Sequence, residues 1–453
     1  MRKTRFFYGY QFLLGVLLSC TVLMNRALET RMEQKEEYLK AAEKQASEAQ
    51  QEKEECMDSA AAEASGEEIS GTKEDAQETP EDKCQEPSGT QKEPRIRVLL
   101  MDTGYTSYYH PSVSLVCDGQ EKVYGPDSLE TGAPPVTITP RESGIQITSI
   151  QRQSGNPVYA GSLEISRQEE GYLLINELPL ETYLEAVVPS EMPSGYQTEA
   201  LKAQAICART YAWKQIQEKK LADYGADVDD SVNDQVYQNI APQETTTRAV
   251  RETSGKILCQ NGEPVEAYYF STSAGATSTN VIWGAEEAAS YLKSVPCSFD
   301  SQSPWSWWQV EIPWENLEQR AVGQLEKEGS LLDVKVTRKE ESGAVTGLEV
   351  TTEAGSFLLD EEYAIREFLS PEGCMITEKD GTVTEGGTLL PSSYFQAEET
   401  PGTSILLTGG GYGHGVGMSQ NGANEMAAQG YTCEEILDYF FKDVEIQEIS
   451  RIK

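Results

Sequence analysis

Positive charge is scarce in this sequence, and that scarcity narrows its function before any motif is considered. Against 74 aspartates and glutamates stand 37 lysines and arginines, a formal net charge of -37 over 453 residues. No basic stripe interrupts the acidic background, so a phosphate backbone would be repelled and a nucleic-acid partner is excluded. Histidine is nearly absent: only His110 and His414 occur, neither beside a cysteine at metal-ligand spacing. The nine cysteines are scattered singly without a CxxC pair, which argues against a disulfide framework and for small buried hydrophobes. The expectation is no metal and no cofactor.

Long apolar runs are also lacking, with one exception. Phe6 to Met24 carries no formal charge, follows Arg2, Lys3 and Arg5, and is long enough to cross a bilayer as one helix. No small-x-small cleavage site follows, so residues 1–25 read as a cytoplasmic tip and retained transmembrane signal anchor. That reading makes the chain a single-pass cell membrane protein with its remainder on the extracytoplasmic side. A competing reading takes Leu17-Leu18-Ser19-Cys20 as a lipoprotein processing site with Cys20 acylated; both put the chain at the outer face of the membrane. Residues 26–94 are dominated by Glu, Gln, Lys, Ala and Ser. Such a segment buries too little apolar surface to offset its ordering entropy, which predicts an acidic, disordered stalk.

Folded sequence is expected over 95–453. Short alternating runs such as Arg95 to Leu100, Val113 to Val116, Gln146 to Ile150, Ser162 to Ser166 and Tyr172 to Asn176 read as antiparallel strands. Others are expected at Lys256 to Leu258, Pro264 to Phe270, across Leu332 to Leu359, and at Ser404 to Leu407. Pro179 opens a helix through roughly Val188. The clearest helix runs from about Thr198 to Glu218, with Leu201, Ala205, Ala208 and Ala212 spaced for one apolar stripe and Lys202 and Arg209 beside it. Thr432 and Glu435 form a capping box before a last helix carrying Ile436, Leu437, Phe440 and Phe441. Short strands with segregated helices predict an α+β fold of mixed, mostly antiparallel sheets, with helices around a cleft.

Three segments carry the chemistry. Leu178-Pro-Leu-Glu-Thr-Tyr-Leu-Glu-Ala-Val-Val-Pro-Ser-Glu-Met-Pro193 is followed by Glu199-Ala-Leu-Lys-Ala-Gln-Ala-Ile-Cys-Ala-Arg-Thr-Tyr-Ala212. The second is Tyr268-Tyr-Phe-Ser-Thr-Ser-Ala-Gly275, continuing to Val281-Ile-Trp-Gly284. The third is Gly411-Tyr-Gly-His-Gly-Val-Gly-Met-Ser-Gln420. In order and wording these resemble the stage II sporulation protein D family, which includes amidase-enhancer proteins, over roughly Arg95 to Ile449. The resemblance implies a lytic transglycosylase that cleaves peptidoglycan glycan strands stripped of stem peptides, in wall remodelling during sporulation and engulfment. A membrane-bound amidase is the implied partner, Glu191 the implied catalytic residue, and Lys202 and Arg209 fall on the family's basic positions. Phe270 and Ala274 depart from the His and Gly often found there.

The residues themselves allow this chemistry. Breaking a glycosidic bond needs a proton on the leaving oxygen and normally a second carboxylate. When the muramic 6-hydroxyl is itself the nucleophile, one carboxyl group can protonate the leaving oxygen and then take the hydroxyl proton, closing a 1,6-anhydro ring. Glu191 is expected at a rigid, non-helical junction beside Pro189 and Pro193 where burial raises its pKa; the plainer alternative is a carboxylate that caps backbone N–H groups. Lys202 and Arg209 are expected to bind sugar oxygens or stabilise developing charge, against a solvated helix face for Lys202. Ser271, Ser273 and Gly275 suit a sugar groove, against an ordinary polar turn. The glycine-rich loop would let a polymer approach His414 and Gly415, with Ser419 and Gln420 just beyond, or His414 simply orients the loop. Alternative functions are a non-catalytic wall-binding modulator of an amidase, and a hydrolase using Glu185 or Glu266 as second carboxylate.

Overall fold

The computed structural model describes residues 93–141, 144–325 and 329–451. Phe6 to Met24 and the stalk lie outside these residues. Among the described residues no helix is long and apolar enough to cross a membrane.

The architecture is α+β with mostly antiparallel sheets. Its helices are α1 (Leu180–Glu191), α2 (Thr198–Glu218), α3 (Glu244–Glu252), α4 (Trp314–Leu325), α5 (Glu362–Phe368), α6 (Gln420–Ala428) and α7 (Cys433–Phe440). A five-stranded sheet orders Val136–Ile138, Ser162–Arg167, Tyr172–Pro179, Arg95–Leu99 and Val228–Asp229, antiparallel except for the last pair. Alternation decides which side chains turn inward: Leu163 and Ile165 are buried while Ser162, Glu164 and Ser166, which alternate with them, are not. A four-stranded sheet of Gln120–Tyr124, Val113–Cys117, Ile145–Ile147 and Val158–Tyr159 shares the same core, which also takes in α1.

A second core gathers around α6 and α7. A third lies between the five-stranded sheet containing Trp308–Pro313 and Ser404–Gly409 and the three-stranded sheet Leu331–Lys339, Val345–Thr352, Gly355–Leu359, with α4 and α5. The strands expected across Leu332 to Leu359 form as three, whereas the sequence reading missed α3, α4, α5 and the strands at Trp308–Pro313, Met375–Glu378 and Phe395–Thr400. The run Pro264 to Phe270 forms ladder pairs only at its ends.

Helix α2 corrects the single-stripe expectation. Every residue from Ala203 to Ala212 is buried. Ala205, Ala208 and Ala212 face the first core, whereas Leu201, Ala203, Ile206 and Cys207 face the second. Alanine supplies close approach on several sides at no side-chain entropy cost, which suits a helix enclosed by neighbours. Helix α1 also runs further than expected. Pro189 stands inside its last turn, and it is Pro193 that ends it, because the residue before a proline avoids helical geometry: Met192 is extended at φ -139°, ψ 132°. Glu191 is therefore the last helical residue and not part of a non-helical junction. The capping box of Thr432 and Glu435 forms as read.

Candidate active site

A cleft of about 460 Å³ opens where the end of α1, the loop after Val228–Asp229, the strand Tyr269–Phe270 and the glycine-rich loop meet. Its lining includes Glu191, Asp234, Val236, Tyr268, Tyr269, Ser271, Tyr412, His414 and Gln420, and holds no lysine or arginine. A larger hollow of about 670 Å³ lies beside α1, but its carboxylate Glu185 is ion-paired with Arg251 at 3.0 Å.

Glu191 is partly exposed to the cleft. Its Oε1 accepts the Val236 N–H at 2.5 Å. Burial pushes its carboxyl up to about 7, against the Val236 N–H and the Tyr269 hydroxyl, both of which favour the ionised form. The group can thus be found protonated or ionised near neutrality.

His414 faces the same cleft, ringed by Trp283 at 5.1 Å, Phe270 at 5.8 Å and Tyr268 at 6.2 Å between ring centroids. Its Nδ1 accepts the Val416 N–H at 3.1 Å, which leaves the ring proton on Nε2. Burial, with the charge of Arg366, depresses its pKa to about 3. It is a neutral hydrogen-bond donor and not a cation. Gln420 donates through Nε2 to the Glu191 backbone carbonyl at 3.1 Å. Of the residues singled out from sequence, Glu191, Ser271, His414 and Gln420 come together here.

The others do not. Arg209 is fully buried: Nε and Nη2 each bond Glu181 at 2.8 Å, and the remaining hydrogens go to Val250, Thr253 and Lys256. Lys202 is held between Glu199 at 2.9 Å and Glu252 at 2.8 Å. At about 100° per residue both lie on the side of α2 away from Tyr211, the residue it sends into the cleft. Neither lines the cleft, and their ion pairs join α1, α2 and α3.

Ser273 and Ser419 also serve the frame. Both donate to the buried Asp300 carboxylate, at 2.7 and 2.6 Å, and Ser419 caps α6 by accepting the Gly422 N–H. Gly275 (φ +106°) makes a turn outside the cleft lining, its carbonyl accepting the Cys297 N–H. Gly415 (φ +81°) presses on Tyr394, whose hydroxyl would lie 2.3 Å from an added Cβ. None of these four lines the cleft.

Sequence reading missed Tyr211, Asp234 and Tyr269. Asp234 accepts the Tyr211 hydroxyl at 2.8 Å and the Asp229 N–H at 2.8 Å. The run Asp229-Asp-Ser-Val-Asn-Asp-Gln235 was the available signal, because so many short polar side chains suit a loop built on side-chain hydrogen bonds. Of the expected second carboxylates, Glu266 is paired with Lys214 at 3.0 Å, and neither it nor Glu185 reaches the cleft.

A mixed α+β unit with one helix-terminal carboxyl group in a tyrosine-rich cleft is the class that fold and site define. The chain belongs to the stage II sporulation protein D family. A family model described as stage II sporulation protein matches residues 168–259, and one described as a domain of unknown function matches residues 287–417. Stage II sporulation protein D of Bacillus subtilis (strain 168) is 33% identical over 289 residues, covering 60% of this chain and 76% of the relative. The protein of that name from Bacillus amyloliquefaciens is 32% identical with the same coverage. A protein named amidase enhancer, also from Bacillus subtilis (strain 168), is 28% identical over 296 residues, 57% of this chain and 39% of the relative.

Proposed function

We propose that this chain is a lytic transglycosylase of peptidoglycan glycan strands, working on the cell wall in sporulation. The observation that carries the reading is the state of Glu191: a carboxyl group with its pKa at about 7, in a cleft with no cation among its lining residues. Protonated Glu191 gives its proton to the glycosidic oxygen as the C–O bond breaks. The resulting carboxylate, supported by the Val236 N–H and Tyr269, accepts the proton of the muramic 6-hydroxyl as that oxygen closes onto the anomeric carbon. The Asp234 carboxylate supports the positive charge that develops on the ring, and the exposed edge of Tyr412 offers a flat apolar surface for a sugar. Strands without stem peptides, an anchor at residues 1–25, a stalk over 26–94 and an extracytoplasmic catalytic unit over 95–453 complete the proposal. An amidase is the partner, which the relative named amidase enhancer supports.

Two other readings each have one observation in their favour. That same relative favours a wall-binding modulator that cuts nothing. Asp234, a second carboxylate in the cleft, favours a hydrolase, although both its oxygens already accept hydrogen bonds. Incubating the full-length protein with stem-free glycan and weighing the products separates the three. Anhydro-muramic ends uphold the transglycosylase, reducing ends the hydrolase, and intact strands with retained glycan binding the modulator.

A further inference from the structure

Asp229 has almost no access to solvent, yet the reaction proposed above makes no use of its carboxylate. It stands where the strand Val228–Asp229 ends and the cleft loop begins. Its Oδ1 accepts the Ser231 N–H at 2.9 Å and the Ser231 hydroxyl at 2.8 Å. Its Oδ2 accepts the Tyr108 hydroxyl at 2.8 Å and the Asn233 amide at 3.2 Å. Four donors on two oxygens use the whole accepting capacity of a carboxylate, so this group binds the protein's own loop and not a ligand. The main chain closes the same knot: the Asp229 N–H donates to Asp234 at 2.8 Å. Asp230 turns the other way, accepting the Met101 N–H at 2.8 Å and Arg152 at 2.6 Å, which ties the strand end to the core. Two groups that face the cleft hang on the stretch so held. They are the Asp234 carboxylate and the Val236 N–H, which Glu191 accepts at 2.5 Å.

We propose that Asp229 is a positioning residue for the acid: its carboxylate folds residues 229–236 so that the Val236 N–H meets Glu191 and the Asp234 carboxylate faces the cleft. It acts by accepting hydrogen bonds and not through its charge. Side-chain bonds of this local kind give a short polar run one fixed shape without helix or sheet. The donor matters in the second half of the reaction, when Glu191 has lost its proton and must persist as a carboxylate long enough to act as base. Other titratable groups stand at both ends of the loop. Asp234, Tyr211 from α2, Tyr268 and Tyr269 from the strand side and His414 from the glycine-rich loop face the Glu191 cleft. Tyr108 and the Asp230–Arg152 pair adjoin Asp229. All of them stay in place in the variants below. The inference rests on Glu191 acting as the acid and base proposed above.

The test reads the protonation of Glu191 directly, separately from activity. Infrared spectra of the full-length protein in detergent are followed against pH, and in each variant the protonated-carboxyl band of Glu191 is identified by its loss when Glu191→Gln is added. Asp229→Ala releases the loop and withdraws the Val236 N–H, a donor that favours the ionised form, so the midpoint should rise by about one pH unit. Asp229→Asn should leave it nearly unmoved. Its carbonyl oxygen still accepts from Ser231, while its amide hydrogens meet the Tyr108 oxygen and the Asn233 carboxamide turned over. Loss of negative charge has the opposite sign and would lower the midpoint in both variants. Arg209→Ala weakens the frame elsewhere, at Glu181 and Val250, and should leave the midpoint where it is. If Asp229→Ala does not fold, Asn233→Ala, at an exposed residue, takes its place with a smaller rise expected. A midpoint that stays put in every variant, falls in both Asp229 variants, rises as far in Asp229→Asn as in the loop-releasing variant, or rises as far in Arg209→Ala overturns the proposal. The expected shifts in a protein whose wild type leaves glycan uncut uphold the positioning and refute the transglycosylase; anhydro ends with unmoved midpoints do the reverse.

Discussion

Gln420, the first residue of α6, donates its side-chain amide hydrogen to the backbone carbonyl of Glu191, the last residue of α1, at 3.1 Å. Carbonyls at a helix C-terminus have no partner within the helix, so this bond satisfies one of them and fixes the direction in which α1 ends. The motif that ends in Gln420 thus reaches Glu191 through the main chain and leaves its carboxyl group to the cleft.

Glu191→Gln keeps the side chain's size and removes its transferable proton. Glycan cleavage should fall below detection while glycan binding, measured by pull-down on stem-free strands, stays within about threefold. The same substitution has a stability signature. The folded pKa of about 7 lies above the ordinary value of 4.5, so the folded state holds the proton more tightly than the unfolded chain. That contribution is fully present below pH 4.5 and is lost as pH rises through 7, up to about 3 kcal/mol. Urea unfolding at pH 5 and pH 8 should show Glu191→Gln gaining on the wild type at the higher pH.

Asp234→Asn separates the two cutting mechanisms. A carboxylate that only supports ring charge should cost about tenfold in kcat with KM little changed and anhydro ends still formed. Loss of all cleavage, to the level of Glu191→Gln, would instead make Asp234 a chemical participant.

Arg209→Ala should destabilise the fold by about 3 kcal/mol in urea unfolding, because Glu181 would be left without its bidentate partner between α1 and α2. The KM of the folded protein for glycan should hardly change. A raised KM at unaltered stability would place the guanidinium on the sugar after all.

His414→Phe should lower kcat/KM by about tenfold through loss of the Nε2 donor, and the alkaline limb of the pH profile should stay where it is. The limb belongs to Glu191, since the imidazole has its pKa at about 3 and does not titrate between pH 5 and 8. A limb that moved with this substitution would reassign it.

The parts of the fold legible in the sequence were those whose cause is local. Alternation in Ser162–Arg167, the prolines around α1 and the Thr432–Glu435 cap depend on neighbours a few residues away, and each formed nearly where expected. The strands Trp308–Pro313 and Met375–Glu378 are short and each pairs with a segment distant in sequence, so spacing did not reveal them. The site divides in the same way. Glu191 and His414 stand in conspicuous local wording, but the burial of Ser273 and Ser419 depends on Asp300, which reaches them from a distant loop. Arg209 misled for a related reason: its partner, Glu181, lies on another helix, and nothing in the α2 sequence says whether a guanidinium beside an apolar stripe faces a ligand or a neighbour.

Helix α2, enclosed by two cores at once, has a consequence for how the molecule comes apart. Its alanines are shared property, so peeling the early sheets from the C-terminal helices would strip both faces of one rod simultaneously. Unfolding of this region should therefore be a single cooperative event, and a protease that nicks a surface loop should release no stable half containing only one wall of the cleft.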